Sequence, residues 1–311
     1  MPIRVGEMAT LSEWSAELLK TCLQWPGFQA TYVKYKDVAN IQDLDMLKGV
    51  LKRRLSLLDG LYCHSIRTPA LLTKVTRPEK RHEKGFRLVS VQQLLPRTSA
   101  FSISDPKLDS PVQKAANRDH LARICQLTHK TLEATLQAEK MISYPGADLI
   151  IFPELSVHPD DQDLLKRLAD KSQSMIFAGL IFSDHEGKLV NVARWYIPDY
   201  KDGARQWIIR DQGKAFPTDQ EKPLGVEGFR PCQQLIEIED NKDGPFVLSG
   251  AICYDATDLN LAADLKGKTD LFIVAAHNKD VRTFDAMAGA LNYHLYQHVV
   301  VVNKGEFGGS T

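Results

Sequence analysis

From residue 86 onward the chain alternates short apolar runs with longer amphipathic stretches, and this order restricts the fold more than any other feature of the sequence. "FRLVSVQQLLP" opens the series with a strand near 86–94, a helix follows near 116–141, and "ADLIIFPEL" reads as a buried strand. "DDQDLLKRLADKS" is a second helix before the strand "SMIFAGLIF", and "DHEGK" is a turn ahead of "VNVARWYIP" and "ARQWIIRD". Beyond a loop come "CQQLIEIED", the turn "NKDG", the strand "PFVLSGAICYD", a helix through "LNLAADLKG" and the strand "DLFIVAAH". A long helix, "RTFDAMAGALNYHLYQH", precedes the last strand, "VVVVNK". Strands alternating with helices, with some hairpins between them, predict an α/β domain whose helices cover sheets. Residues 1–85 differ. Their helix-like patterns, "LSEWSAELLKTCL" and "DLDMLKGVLKRRLSLLDGLY", lead into the charged tract "KVTRPEKRHEKGFR", so this span is expected to be an appended helical segment and linker.

Composition removes several function classes. Lysine plus arginine and aspartate plus glutamate both number 39, so a zero formal net charge gives no global attraction to nucleic acid or an anionic membrane. Apolar runs such as "LFIVAA" fall far short of the roughly 20 residues that span a bilayer, and the N-terminus lacks a signal peptide's order, so a cytoplasmic protein with no membrane partner is expected. The five cysteines, Cys22, Cys63, Cys125, Cys232 and Cys253, contain no CxxC pair and are expected to be free thiols. His294 and His298, four apart on the last helix, lack the glutamate of a zinc-protease helix, and no metal site is expected. "GEFGGST" follows a strand but has neither a Walker lysine nor GxGxxG spacing, which sets nucleotide binding aside.

Reactive groups in parallel α/β sheets collect where strands end and the chain faces a crevice. Three polar residues stand at such ends: Glu154 closes "LIIFPE", Lys214 follows "WIIRDQG", and Cys253 closes "LSGAIC". Singly, each has a bland reading as a solvated charge or a small packing residue. Together they match one chemistry. A thiolate attacks an electrophilic carbon, a carboxylate moves the proton and an ammonium meets the oxyanion.

"ADLIIFPELS", then a lysine beyond a hairpin, then "GAICYD", in this order and spacing, resembles the nitrilase superfamily of carbon–nitrogen hydrolases. The resemblance covers about residues 86–311 and extends to "DLFIVAAHN" and "RTFDAMAGALNYHLYQHVVVVNKGEFGGS". It implies an α-β-β-α sandwich, a homo-oligomer, no cofactor, and hydrolysis of a small amide or nitrile through a thioester. In that reading Cys253 is the nucleophile, Glu154 the proton carrier, and Lys214 with the backbone N–H of Tyr254 the oxyanion site. A supporting glutamate is implied after the lysine, at Glu221 with Glu227 behind it. The resemblance also implies further C-terminal strands, so the expectation is a fragment of a longer protein or an exposed sheet edge.

Two other readings stay open. Cys253 with His158 or His277 would make a Cys-His hydrolase. A degenerate nitrilase-like scaffold or regulatory module of a larger protein is the non-enzymatic alternative. Such domains occur fused to bacterial antiviral-defence reverse transcriptases, the one setting in which nucleic acid would be a partner.

Overall fold

A computed structural model describes residues 45, 48–49, 70–76, 85–139, 146–201, 204–239 and 244–311. The chain divides into two compact units, Met1–Ile66 and Arg67–Thr311. Most of the helical pattern expected in residues 1–85 lies outside the described residues. Within that span, however, Ala70–Thr76 (β1) is a strand rather than linker.

The second unit is mixed α/β. Its order is β1, β2 (Leu88–Ser90), α1 (Pro111–Ala138), β3 (Leu149–Val157), α2 (Gln162–Ser172), β4 (Met175–Leu180), β5 (Ser183–His185), β6 (Lys188–Val190), β7 (Val192–Lys201) and β8 (Ala204–Gly213). There follow β9 (Val226–Glu227), β10 (Gln233–Glu239), β11 (Phe246–Ile252), α3 (Leu259–Leu265), β12 (Leu271–Ala276), α4 (Val281–Leu295) and β13 (His298–Asn303). One five-stranded sheet runs β2-β3-β4-β7-β8 and another runs β1-β10-β11-β12-β13. A three-stranded sheet runs β5-β6-β9. Strands β11, β12 and β13 are mutually parallel, as are β2, β3 and β4, so the carboxyl ends of each set emerge together.

Side-chain alternation decides which face meets what. Leu149 and Ile151 of β3, Phe177 of β4 and Trp195 of β7 pack in one core with Ile236, Leu248 and Ile273 of the other sheet. The intervening residues, Ile150 and Phe152 of β3, Ile176 of β4 and Tyr196 of β7, pack with Leu121 and Cys125 of α1 and Leu165 and Leu168 of α2. This period of two places one face of the sheet on helices and the other on a second sheet. Gly250 of β11 lets the sheets approach, since a Cβ there would lie 2.6 Å from the Phe177 ring. Phe284, Ala288, Leu291 and Leu295 recur at helical spacing along α4 and join the shared core.

Local signals set the element ends. Ser110 caps α1, accepting from the Gln113 N–H at 3.4 Å, with Pro111 in the first turn. The "DHEGK" turn joins β5 to β6 with Glu186 and Gly187 both at positive φ, the twist a tight hairpin requires. Tyr296, at φ 54°, ends α4 early. His294 therefore lies on the helix while His298 opens β13, and the expected pair on one helix does not form.

Candidate active site

Strand β3 does not run straight to Glu154. Phe152 pairs with Ala178 and Val157 with Leu180, so residues 153–156 stand opposite Gly179 alone. Pro153 begins this bulge, where a missing N–H costs no ladder bond. Leu155 adopts a positive φ of 52° within it. The bulge folds onto β4: a Cβ on Gly179 would stand 2.4 Å from the Glu154 Cα and 2.5 Å from the Pro153 carbonyl oxygen. The chain is bent at Glu154 while the strand on either side remains paired.

The second element is the turn at Cys253. Strand β11 ends at Ile252, and Cys253 takes a positive φ of 45°, a strained conformation for a residue with a Cβ. A 3-10 turn follows, and Asp255 in it accepts the backbone N–H groups of Ala215 and Phe216 at 2.7 and 2.9 Å. Arg230 bridges Asp255 and Asp258. The cysteine turn and the lysine loop are thereby tied across 40 residues of sequence.

The side chains meet in one buried cluster. The Lys214 Nζ lies 2.8 Å from Oε1 of Glu154 and 2.6 Å from Oε2 of Glu221. Asn191 donates through Nδ2 to Oε1 of Glu154 and to Oε1 of Glu221, each at 2.7 Å. The Thr218 N–H donates to Oε2 of Glu221 at 2.7 Å. Glu154, Lys214, Glu221 and Cys253 all line a cavity of about 740 Å³, whose walls include Phe101, Phe182, Leu224 and Phe307. Glu227, the alternative supporting glutamate, instead pairs with Lys188 on the surface at 2.8 Å.

Burial sets the protonation of this cluster. Burial alone would push the Lys214 ammonium down, but Glu154, Cys253 and Glu221 outweigh it and hold the lysine above its ordinary range. Glu154 is raised by burial against the opposing pull of Lys214. Glu221 also suffers burial, yet Lys214 and the donors of Thr218 and Asn191 bring its carboxyl below the ordinary value. The Cys253 thiol is pushed up by burial and then by Glu154, with Lys214 and the His277 backbone N–H opposing. Burial thus favours the thiol form of the sulfur, with Glu154 beside it.

The two histidines of the Cys-His reading part company. His158 is buried, accepts the Asp160 N–H at 3.1 Å and is not among the residues lining the cavity. His277 lines the cavity, but its Nε2 is 2.8 Å from Oγ1 of Thr98 and its ring stacks on Phe307. Burial and then Lys304 hold that imidazole down near a pKa of about 4. Tyr254 follows Cys253 with its side chain half exposed.

Comparison of the sequence with protein-family models and with curated proteins finds no match. Among solved structures, the chain is similar to a mutant of the amidase from Nesterenkonia sp. carrying the acetamide moiety of fluoroacetamide covalently at its active-site cysteine. The identity is 14%, the TM-score 0.49, and the match covers 73% of this chain and 79% of that one. A second mutant of that amidase, described as from the nitrilase superfamily, matches at 13% identity and TM-score 0.45 over 72% of this chain and 82% of its own. A carbon–nitrogen hydrolase from Helicobacter pylori matches at 17% identity and TM-score 0.40 over 60% and 74%. These neighbours are amidases and carbon–nitrogen hydrolases.

Sequence reasoning missed Asn191 and Lys304. Asn191 sits in the bend between β6 and β7, where its type reads as a turn residue, and its two partners lie 37 and 30 residues away. Lys304 is fully buried at the end of β13 and donates to the Leu155 carbonyl at 2.6 Å. A lysine closing "VVVVNK" is the one sequence signal that marks it, since lysine is rarely fully buried.

Proposed function

We propose that this chain hydrolyses the carbon–nitrogen bond of a small, non-peptide amide through a thioester on Cys253. The observation that carries the reading is the Lys214 ammonium held between two buried carboxylates in the same cavity as the cysteine. Such a cation has a fixed position and a fixed charge, which is what stabilising a developing oxyanion requires. We read the two facing sheets and their flanking helices as the α-β-β-α sandwich that the sequence resemblance implies.

Because the thiol is disfavoured as an anion, attack and proton transfer are coupled. The Cys253 proton passes to Glu154 as the sulfur bonds to the amide carbon, and Lys214 with the Tyr254 backbone N–H meets the oxyanion. The hydrogen bonds from Asn191 and Lys214 both fall on Oε1 of Glu154, which leaves Oε2 for the thiol, the leaving nitrogen and water. Collapse breaks the C–N bond, and the proton held by Glu154 leaves with ammonia. Water then gives a proton to Glu154 and its hydroxyl to the thioester carbon. Cleavage of the C–S bond releases the acid, and the proton returns to sulfur. Glu221 and Asn191 hold Lys214 and Glu154 in place.

The test is incubation of the purified chain with a panel of small amides, ureas and nitriles, following ammonia and the acyl-enzyme mass. Release of ammonia from amides, lost in Cys253→Ala and in Glu154→Gln, is the expected result. Undiminished turnover in Cys253→Ala overturns the reading.

A further inference from the structure

The cavity carries a second fixed acid away from the Lys214 cluster. Glu306, in the turn after β13, accepts through Oε2 from the Thr98 N–H at 2.9 Å and from Oγ1 of Thr98 at 3.0 Å. The His277 Nε2 lies 3.8 Å from the same oxygen. Oε1 takes no partner among the described residues, so the carboxylate is oriented by one oxygen and unengaged at the other. His277 spans the gap to the nucleophile: its backbone N–H faces the Cys253 sulfur, and its ring reaches Glu306. The acid and the reacting sulfur therefore share one cavity, with His277 between them.

Its surroundings choose the sign of charge that fits. Phe101, Phe182, Leu224 and Phe307 supply the apolar part of the wall; of the other lining acids, Glu154 and Glu221 hold Lys214 and Asp219 pairs with Lys222. Of the lining lysines among the described residues, Lys214 is engaged by two carboxylates and Lys279 is the other, and no described arginine lines the cavity. Burial would raise the Glu306 carboxyl, but the two Thr98 donors, with His277 and Lys304, bring it below its ordinary value. A substrate carboxylate would be repelled by this anion, whereas an ammonium would find a partner there.

We propose that Glu306 binds a cationic end of the substrate, so that the amide turned over at Cys253 is a small primary amide whose acyl chain ends in a protonated amine. This assignment rests on the amide-hydrolase reading of the same cavity. It makes Glu306 a specificity-determining residue, whereas a carboxylate that merely pinned the Thr98 turn would affect all substrates alike.

Three amides of matched length separate these cases: γ-aminobutyramide, pentanamide and glutaramate, ending in an ammonium, a methyl and a carboxylate. In the wild-type enzyme kcat/KM for γ-aminobutyramide is expected to exceed that for pentanamide by about tenfold or more, with glutaramate last. In Glu306→Gln the ratio of the first two should fall towards one, and in Glu306→Lys glutaramate should overtake γ-aminobutyramide. The wild-type ranking needs no variant, so equal values for the charged and neutral amides overturn the proposal even where a variant fails to fold. A preference that survives in Glu306→Gln overturns it too. If no amide is hydrolysed, calorimetric titration of the three compounds into Cys253→Ala protein reads the cavity alone. Preferential binding of γ-aminobutyramide there upholds Glu306 as a cation site while the hydrolase reading fails, and absence of that preference sinks the assignment itself.

Discussion

Cys253 and Cys125 are both buried thiols pushed above their ordinary pKa, and the difference between them is what lies alongside. Burial and then Asp163 take Cys125 to about 12, and it packs between α1 and the sheet among apolar side chains. Cys253 lines the cavity and has Glu154 beside it to take its proton. Iodoacetamide is therefore expected to modify Cys253 before Cys125, and Glu154→Gln to slow only the former; peptide mapping that finds Cys125 labelled first would overturn this. Asn191 makes a second prediction. Asn191→Asp keeps the shape but sets a third carboxylate against Glu154 and Glu221, raising the folded-state pKa values of the cluster above those of the unfolded chain. The folded variant then binds more protons, so its stability is greatest below the unfolded pKa and is lost as pH rises through the folded one. A loss of about 2–4 kcal/mol at pH 8, clearly smaller at pH 5, is expected in urea unfolding, and equal losses would count against the assignment. Glu154, Lys214 and Cys253 could be picked out from sequence because each ends or follows an apolar run and breaks its pattern. Asn191 could not, because its role depends on two carboxylates that only the fold brings to it.

At the level of elements, the bulge in β3 decides where Glu154 points, and Gly179 is what admits it. The atoms a Cβ would meet there are backbone, which cannot swing aside as a side chain can. Gly179→Ala is expected to cost about 1–3 kcal/mol and to reduce ammonia release further than that loss explains, by displacing Glu154. Gly289→Ala in α4 is the control: nothing lies within 4 Å of its Cβ position, so up to about 1 kcal/mol of stability is gained there. A Gly179→Ala protein as stable and active as wild type would show that the bulge shifts freely. The alternation of strands and helices was legible because each buried strand carries a run of apolar residues between turn signals. The bulge was legible only as a proline inside such a run. Strand β1 escaped because "ALLTKVT" leads straight into a charged tract, leaves Leu71 and Leu72 about half exposed, and finds its parallel partner, β10, some 160 residues later. Pairing at that separation leaves no local trace.

Over the whole molecule, the cluster lies on a seam, with Glu154 and Lys214 supplied by one five-stranded sheet and Cys253 by the other. Among the described residues, two of the ties that cross the seam after β13 end on a backbone carbonyl: the Gly305 N–H donates to the Gln93 carbonyl at 2.9 Å, and Lys304 donates to the Leu155 carbonyl inside the bulge. The second tie is a buried amine. Burial lowers Lys304 to a pKa of about 7, against the pull of Glu154 and Glu306. The other titratable groups that it influences, His120 and His277, are both held below the ordinary histidine value, by burial first and then by Lys304 itself. Between about pH 7 and the ordinary lysine value of 10.5 the folded chain therefore binds fewer protons at this site than the unfolded one. The contribution of Lys304 to stability rises with pH across that window, by up to roughly 1.4 kcal/mol per pH unit, and is lost as pH falls through 7. Lys304→Met removes the titration while keeping most of the volume, at the cost of leaving the Leu155 carbonyl unpaired. The change in Tm, variant minus wild type, is accordingly expected to be more favourable at pH 6, where the wild type buries an ammonium, than at pH 9, where it buries an amine. The unpaired carbonyl weighs equally at both pH values and cancels in the comparison. Parallel pH responses of the two proteins would mean that the Lys304 ammonium keeps its water.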